Sequence, residues 1–451
     1  MNLNLIFRVL RRRSELRHHD KWTRQKLLDH QNHELKLLRE YAYKKSPFYR
    51  KLHCGKFDAP LSDLPVVTKS QLMNEFDQVV TNPRMSLKEV EAHISKVKDD
   101  QLFMGKYRVC ATAGTTGRRG IFPFDQEEWA NVVASFSRTY EWAGVRASLL
   151  HWTNAAVLSS RNPLHSSARV GASVNGPWMP VLRLDALDPL PEIVQKLNDF
   201  NPKNLIAYAS MLHVLTGEAS SGRLRIRPRV VISASEILSR ETSERVKKAW
   251  NVSVNDVYAA TEPAGMASPC PERHRSHLYE DLVITEVVDE NNGPVPNGTL
   301  GAKVLVTVLF SRTLPLIRYE MSDRISIGNS DCECGRPYKV MDHIEGRTED
   351  SLVMPKISGG TLLIHPNTFH AVFESLPLDA WQVVQLRGSS VRVLVVPAAV
   401  VELEAIKVAL LKEFARHEIL DPQVSVEKVV SIPRTAIGKV KMVVREQMRS
   451  A

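Results

Sequence analysis

The spacing of apolar and polar positions divides the chain into four stretches. Residues 1–100 are mainly polar and helical in period. Leu27, Leu28, Leu35, Leu37, Leu38 and Tyr41 recur along a helix predicted over 22–45. Ser46-Pro47 ends it, because the residue before a proline is pushed out of the helical region. Leu3, Leu5, Ile6, Val9 and Leu10 form a shorter apolar stripe on a basic N-terminal helix. Such a stripe reads either as a face packed on its own domain or as a membrane-surface contact.

From 100 to 265 strand-like pieces (YRVC, IFPF, VVIS, NVSVNDVY) alternate with helical ones. Asp125 and Glu128 form a capping box that opens a helix carrying Trp129, Val132, Val133, Phe136 and Tyr140, and SRETSERVKKAW reads as another helix. The alternation predicts an α/β domain. Next, LVITEVV and AKVLVTVLF flank the turn-rich DENNGPVPNGTLG, which reads as a hairpin in a β-subdomain at about 280–345. WQVVQL, SVRVLVVP, a helix over 399–417 and QVSVEKVV then make an α+β module. The expected fold is a large N-terminal α/β domain (1–345) with a β-subdomain, followed by a small C-terminal α+β domain (346–451).

Composition narrows the class. With 43% hydrophobic and 24% charged residues the chain can bury a sizeable core. It has no apolar run long enough to span a membrane and no secretory-type leader, so a cytoplasmic protein is expected. The net charge of +10 suits anionic partners, but only Arg11-Arg12-Arg13 is a tight basic run, which argues against a nucleic-acid stripe. Five cysteines, an odd number, argue against a disulfide framework. Cys110 reads as a buried strand residue.

Five short segments could carry chemistry. Thr112-Ala113-Gly114-Thr115-Thr116-Gly117 is a Gly/Thr loop whose N–H groups and hydroxyls could wrap a polyphosphate, although it lacks the Walker spacing. Asp256-Val257-Tyr258-Ala259-Ala260-Thr261-Glu262 places a carboxylate just past a strand, where it could hold Mg²⁺ against phosphates. The others are Arg318-Tyr319-Glu320-Met321-Ser322-Asp323, Glu345-Gly346-Arg347-Thr348-Glu349-Asp350, and Pro433-Arg434-Thr435-Ala436-Ile437-Gly438-Lys439-Val440-Lys441. Taken singly, each also reads as an ordinary turn or a charged surface stretch.

In this order and spacing, the set resembles the adenylate-forming superfamily, and most closely its phenylacetate–CoA ligase-like branch. The matches run from about residue 40 to the end. TAGTTG resembles the family's SSGTTG loop, DVYAATE its Y-G-x-T-E, RYEMSD its Y-R-T-G-D, EGRTEDSL its G-R-x-D-D-x-[IL], and PRTAIGKVK its P-R-T-x-x-G-K. The resemblance implies an AMP-forming ligase that activates a carboxylic acid with ATP as an acyl-adenylate and passes it to a thiol, coenzyme A by preference. It implies that Thr112, Gly114, Thr115, Thr116 and Gly117 hold the ATP phosphates, and that Ser235, Glu236, Asp256 and Tyr258 surround adenine. It further implies that Thr261 and Glu262 face the α-phosphate and Mg²⁺, that Asp323 binds ribose and that Arg347 lies near ribose and phosphate. Lys439 becomes the catalytic lysine, on a small domain that is mobile about a hinge near Glu349-Asp350. The branch also suggests a homodimer. Ala259 in place of glycine, Arg118-Arg119 in place of K-P, Glu320, Met321 and Ser322 in the ribose segment, and Glu349 in place of aspartate all depart from the pattern. They leave the acid and the acceptor open. An amine or a carrier-protein thiol could replace coenzyme A, and a non-catalytic nucleotide-binding protein is the reading from another class, against which Glu262 and Lys439 both weigh.

Cys332-x-Cys334-Gly335-Arg336 also resembles a segment of this branch. With Cys270 and His277 upstream it offers three thiolates and one imidazole, a set that suits a closed structural Zn²⁺ site. His277 aligns better than His274. The alternative is four ordinary loop side chains. His151-Trp152 falls where the family places acyl-pocket residues, but reads more simply as a packed pair.

Overall fold

A computed structural model describes residues 3–98, 100–112, 119–145, 152–173, 179–272, 275–347, 351–364, 366–373, 376–434 and 440–446. At its centre is a nine-stranded sheet. Its spatial order is Asp323–Ile327, Val340–Arg347, Ser276–Leu278, Ala264–Pro269, Val254–Ala260, Val230–Ala234, Asn204–Ala207, Ala155–Ser159, Val181–Asp185. The last five run parallel and the rest pair antiparallel.

Strand alternation assigns each face. Leu205 and Val231 enter a core with the helices Leu190–Phe200, Ala209–Ser220 and Arg240–Trp250. Their neighbours Ile206 and Ile232 point the other way, towards Ala143, Tyr140 and Val145 at the end of the helix Gln126–Trp142. That helix opens with the expected capping box, Asp125 accepting from the Glu127 and Glu128 N–H groups while Glu128 accepts from the Asp125 N–H. The expected helix over 22–45 is Arg24–Lys45, capped by Thr23 and stopped at Ser46.

The predicted hairpin is the antiparallel pair Val283–Val288 and Lys303–Val308, joined by Tyr319–Met321 in a three-stranded sheet. Asp323–Ile327 and Val340–Arg347 leave this small sheet for the edge of the large one. The C-terminal domain has a four-stranded sheet, in which Leu378–Gln385 and Ser390–Pro397 pair antiparallel at the centre, with Leu403–Arg416 against it.

The helix Leu3–His19 packs on Gln126–Trp142. Leu5 and Leu16 are buried, while Phe7 and Leu10 are exposed. A buried ionic knot fixes its end. Asp281 accepts two hydrogen bonds from the Arg138 guanidinium (2.8 and 2.6 Å) and lies 2.7 Å from His19 Nδ1. Asp20 accepts from Trp142 Nε1 and from the Tyr338 hydroxyl. Burial alone would raise the Asp281 carboxyl, but Arg138 and His19 hold it well below the usual range. No described helix is long and apolar enough to cross a membrane.

Candidate active site

The C-terminal ends of parallel strands are where open α/β sheets bind ligands. Here they open into a cleft of about 820 Å³ roofed by the C-terminal domain. Ser159, Ala207, Ala234 and Ala260, at the ends of successive strands, all line it. The cleft continues between the sheet face carrying Ile206 and Ile232 and the helix residues Phe136 and Tyr140. This inner compartment is mostly apolar, and burial raises the Tyr140 hydroxyl to about 12, keeping it neutral.

The phosphate-loop candidates Gly114, Thr115, Thr116 and Gly117 lie outside the described residues, as does Lys439. The base of the loop is described. Thr112 donates its N–H to the Gly120 carbonyl and accepts the Gly120 N–H on Oγ1, both at 2.9 Å. A Cβ on Gly120 would come within 2.8 Å of the Phe122 ring, so the close approach needs glycine. Cys110, two residues before Thr112, is buried in the strand Arg108–Ala111, and its thiol is pushed up to about 12.

Ser235, Glu236, Asp256, Tyr258, Thr261 and Asp323 all line the cleft. Ser235 has a left-handed backbone (φ 70°), which turns the chain off the strand Val230–Ala234 and aims Glu236 back across the opening. Asp256 sits beside Ser233 on the neighbouring strand. Burial raises its carboxyl to about 7, against the opposing pull of the nearby Ser233 side chain and the Val257 N–H. Glu262 is buried and accepts the Tyr319 hydroxyl at 3.2 Å. Asp323 and Arg347 are register partners on adjacent strands.

Sequence reasoning alone does not mark Ser210, and it singles out the segment from Pro433 to Lys441 for Lys439 and not for Arg434 or Val440. Glu236 accepts the Ser210 N–H on one oxygen (2.8 Å) and the Val440 N–H on the other (3.2 Å). Ser210 follows a parallel strand end, a place the strand-end rule marks out. The expected packing of Trp152 is not found. Its ring is exposed, with the Lys203 ammonium 5.0 Å from the centroid, because its strand begins only at Ala155. His151 and His274 lie outside the described residues.

Cys270, His277, Cys332 and Cys334 converge, with donor atoms all within 4.8 Å of one another. Cys270 Sγ and Cys332 Sγ are 3.9 Å apart, and Cys334 Sγ is 3.2 Å from His277 Nε2. Thiolates around one tetrahedral Zn²⁺ lie about 3.8 Å apart, from Zn–S lengths of about 2.3 Å. His277 Nδ1 lies 3.1 Å from the Tyr338 carbonyl, an acceptor that fixes the proton there and frees Nε2 as a donor atom. Burial also lowers the His277 pKa, favouring the neutral ring a metal needs. The four residues fit a thiophilic tetrahedral cation.

No protein-family model matches the chain. It is 28% identical over 376 residues to a phenylacetate–coenzyme A ligase of Thermus thermophilus, covering 78% of this chain and 76% of that one. It is 25% identical to a phenylacetate–coenzyme A ligase of Escherichia coli, covering 72% of each. Among solved structures, 2-hydroxyisobutyryl-CoA ligase in its postadenylation state, in complex with 2-HIB-AMP, overlays with a TM-score of 0.69 at 19% identity, covering 92% of this chain and 88% of that one. Over about three quarters of its length the chain is thus similar to phenylacetate–coenzyme A ligases, and it shares the fold of 2-hydroxyisobutyryl-CoA ligase. The overlay on the thioesterification state of the same 2-hydroxyisobutyryl-CoA ligase falls to 0.57 over 95% of this chain.

Proposed function

We propose that the chain is an AMP-forming acid–CoA ligase, with an adenylating domain over 1–345 and a small domain over 346–451 that carries Lys439. One observation carries this reading. A single cleft at the parallel strand ends gathers Ser235, Glu236, Asp256, Tyr258, Thr261 and Asp323, and the chain immediately after Lys439 is tied into its wall through Val440.

The reaction joins two anions, so positioning and charge neutralisation must do most of the work. Tyr258 and Asp256 bind adenine and Asp323 the ribose hydroxyls, with Arg347 beside it. The loop from Thr112 to Gly117 holds the phosphates. Glu262, aided by Thr261, is the carboxylate that would hold Mg²⁺, an ion that ordinarily takes one or two carboxylates plus phosphate oxygens. Bound there, it neutralises phosphate charge. The acid's organic part enters the compartment between Phe136, Tyr140 and the sheet face. Its carboxylate attacks the α-phosphorus and pyrophosphate leaves. A thiolate then attacks the acyl carbon and AMP leaves. Cys270, His277, Cys332 and Cys334 would hold a structural Zn²⁺ and take no part in either step.

ATP–pyrophosphate exchange across a panel of aryl and aliphatic acids tests the reading. At least one acid drives exchange, and the same acid with coenzyme A yields a thioester. Silence across the panel removes the enzyme assignment, whereas exchange with no thioester moves the acceptor to an amine or a carrier thiol.

Asp256 adds a pH signature. Below about pH 7 its carboxyl is neutral and can both donate to and accept from the adenine edge. Above that it is an anion near a polyphosphate. KM for ATP therefore rises between pH 6 and pH 8, by at most about tenfold if only the neutral form binds. Asp256→Asn, which keeps a donor and an acceptor, flattens that rise. An Asn variant with the wild-type slope would assign the pH dependence elsewhere.

A further inference from the structure

Glu236 makes contacts that the binding of adenine does not require. One oxygen accepts the N–H of Ser210, in the first turn of the helix Ala209–Ser220, and this fixes the side chain to the large domain. The other accepts the N–H of Val440, which belongs to the C-terminal domain. Arg434 and Val440 form an isolated antiparallel bridge on either side of residues 435–439, the last of which is Lys439. Burial lowers the Arg434 pKa, and the Glu236 charge opposes that shift, which places the carboxylate within electrostatic reach of the guanidinium. A single carboxylate thus spans the domain boundary, bonded to Ser210 on one side and to Val440 on the other, with Arg434 within its electrostatic reach.

We infer that Glu236 is a positioning residue for adenylation, a latch that holds the base of the Lys439 loop on the large domain. The inference rests on the ligase reading given above. A carboxylate suits this task better than an amide. It offers two acceptors to two backbone N–H groups and a charge to Arg434, whereas glutamine keeps one acceptor and loses the charge. The contact exists only while the C-terminal domain sits in this arrangement. Glu236 therefore favours the adenylate-forming pose over any pose in which the lysine has left, and contributes nothing to thioester formation. Contacts made in one of two states shift the balance by their own worth and no more.

Two measurements separate the latch from the ligase reading. In hydrogen exchange on the whole protein without substrates, Glu236→Ala speeds exchange in peptides covering 204–215 and 440–446, while peptides of the strands 155–159 and 254–260 keep the wild-type rate. Unchanged exchange at 440–446 overturns the latch, whatever the enzyme does. In the half-reactions, Glu236→Ala slows acid-dependent pyrophosphate exchange about tenfold, the size expected for one charge-assisted hydrogen bond. Thioester formation from synthetic acyl-adenylate and coenzyme A stays within about twofold of wild type. Glu236→Gln falls between the two. Equal loss in both half-reactions overturns the latch and returns Glu236 to the binding pocket. Arg434→Gln gives a similar split, and the double variant Glu236→Gln with Arg434→Gln loses no more than the worse single. Independent, multiplying losses overturn the coupling of the pair. A wild-type protein that exchanges no pyrophosphate with any acid refutes the ligase reading alone, because the hydrogen-exchange result still decides the contact.

Discussion

Lys439→Ala lowers acyl-adenylate formation by about a hundred- to a thousandfold, the usual cost of removing one donor aimed at charge developing in a transition state. It leaves thioester formation from supplied acyl-adenylate within about twofold of wild type. The first half follows from the charges. A carboxylate and the α-phosphate of ATP must meet, and negative charge gathers on the bridging and leaving oxygens. Mg²⁺ at Glu262 would neutralise only part of it, so a cation on the other side is needed. The segment that can supply one is fixed by geometry, since Val440 donates its N–H into the cleft wall and Lys439 is its immediate neighbour. The second half follows from how the lysine is mounted. It belongs to the C-terminal segment, and a domain rotation of the kind the family resemblance implies would carry it away before the thiol attacks. Half-reaction kinetics with synthetic acyl-adenylate measure both numbers. Equal loss in both steps would mean that Lys439 acts on the bound adenylate itself, and the rotation account would fail.

Much of this site is legible in the sequence, for a chemical reason. Phosphate loops, metal carboxylates and ribose acids need particular residue types in short contiguous segments. Thr112 to Gly117, Thr261-Glu262, Asp323 and Arg347 are therefore marked as candidates by their order and their resemblance to a known family, and of these Thr112, Thr261 and Asp323 line the cleft. The four zinc-ligand candidates are legible because thiols are rare and their clustering is informative. The helix Gln126–Trp142 is legible from its capping box and its period.

What escapes depends on contacts between distant segments. Glu236 and Val440 are 204 residues apart, and nothing local in either segment predicts that they meet. The acid compartment is hidden for a different reason. Ile206, Ile232, Phe136 and Tyr140 alternate as any core face does, so the pattern cannot tell a wall that meets a cavity from one that meets another wall. Trp152 misleads because bulk and aromaticity suggest burial, whereas its position just before the strand Ala155–Ser159 leaves it in solvent. Asp323–Ile327 and Val340–Arg347 read as part of the β-rich stretch that includes the hairpin. Their pairing with the edge of the large sheet depends on Ser276–Leu278, a strand too short to announce itself by period.

That short strand is the reason to expect a large effect from the metal. Cys270 lies just past the strand Ala264–Pro269, His277 lies within Ser276–Leu278, and Cys332 and Cys334 lie in the turn before Val340–Arg347. One Zn²⁺ would tie these three strands together beside the pairs Val340–His277 and Met341–Ser276, the Leu278 N–H bond to the Lys339 carbonyl and the Arg275–Asp342 ion pair. Purified protein should carry one zinc per chain by elemental analysis. Removing it with a strong chelator, or by Cys332→Ala, leaves buried thiols and an imidazole without their cation. The loss amounts to several kcal/mol, well below the roughly 10–16 kcal/mol bound by zinc-finger peptides, because this fold does not depend on the metal alone. At roughly 2.1 cal/mol/K of unfolding entropy per residue, a domain the size of residues 1–345 loses about 1.4 °C per kcal/mol, so Tm falls by about 5 °C. Activity also drops, by a route that can be traced. Arg347 ends the clamped strand and faces Asp323 in register, so loosening the strand disturbs the ribose end of the cleft. KM for ATP should rise more than kcat falls, and returning zinc to the chelated wild type should restore both. Protein that holds no zinc, and whose melting is untouched by Cys332→Ala, would reduce the four side chains to ordinary loop residues.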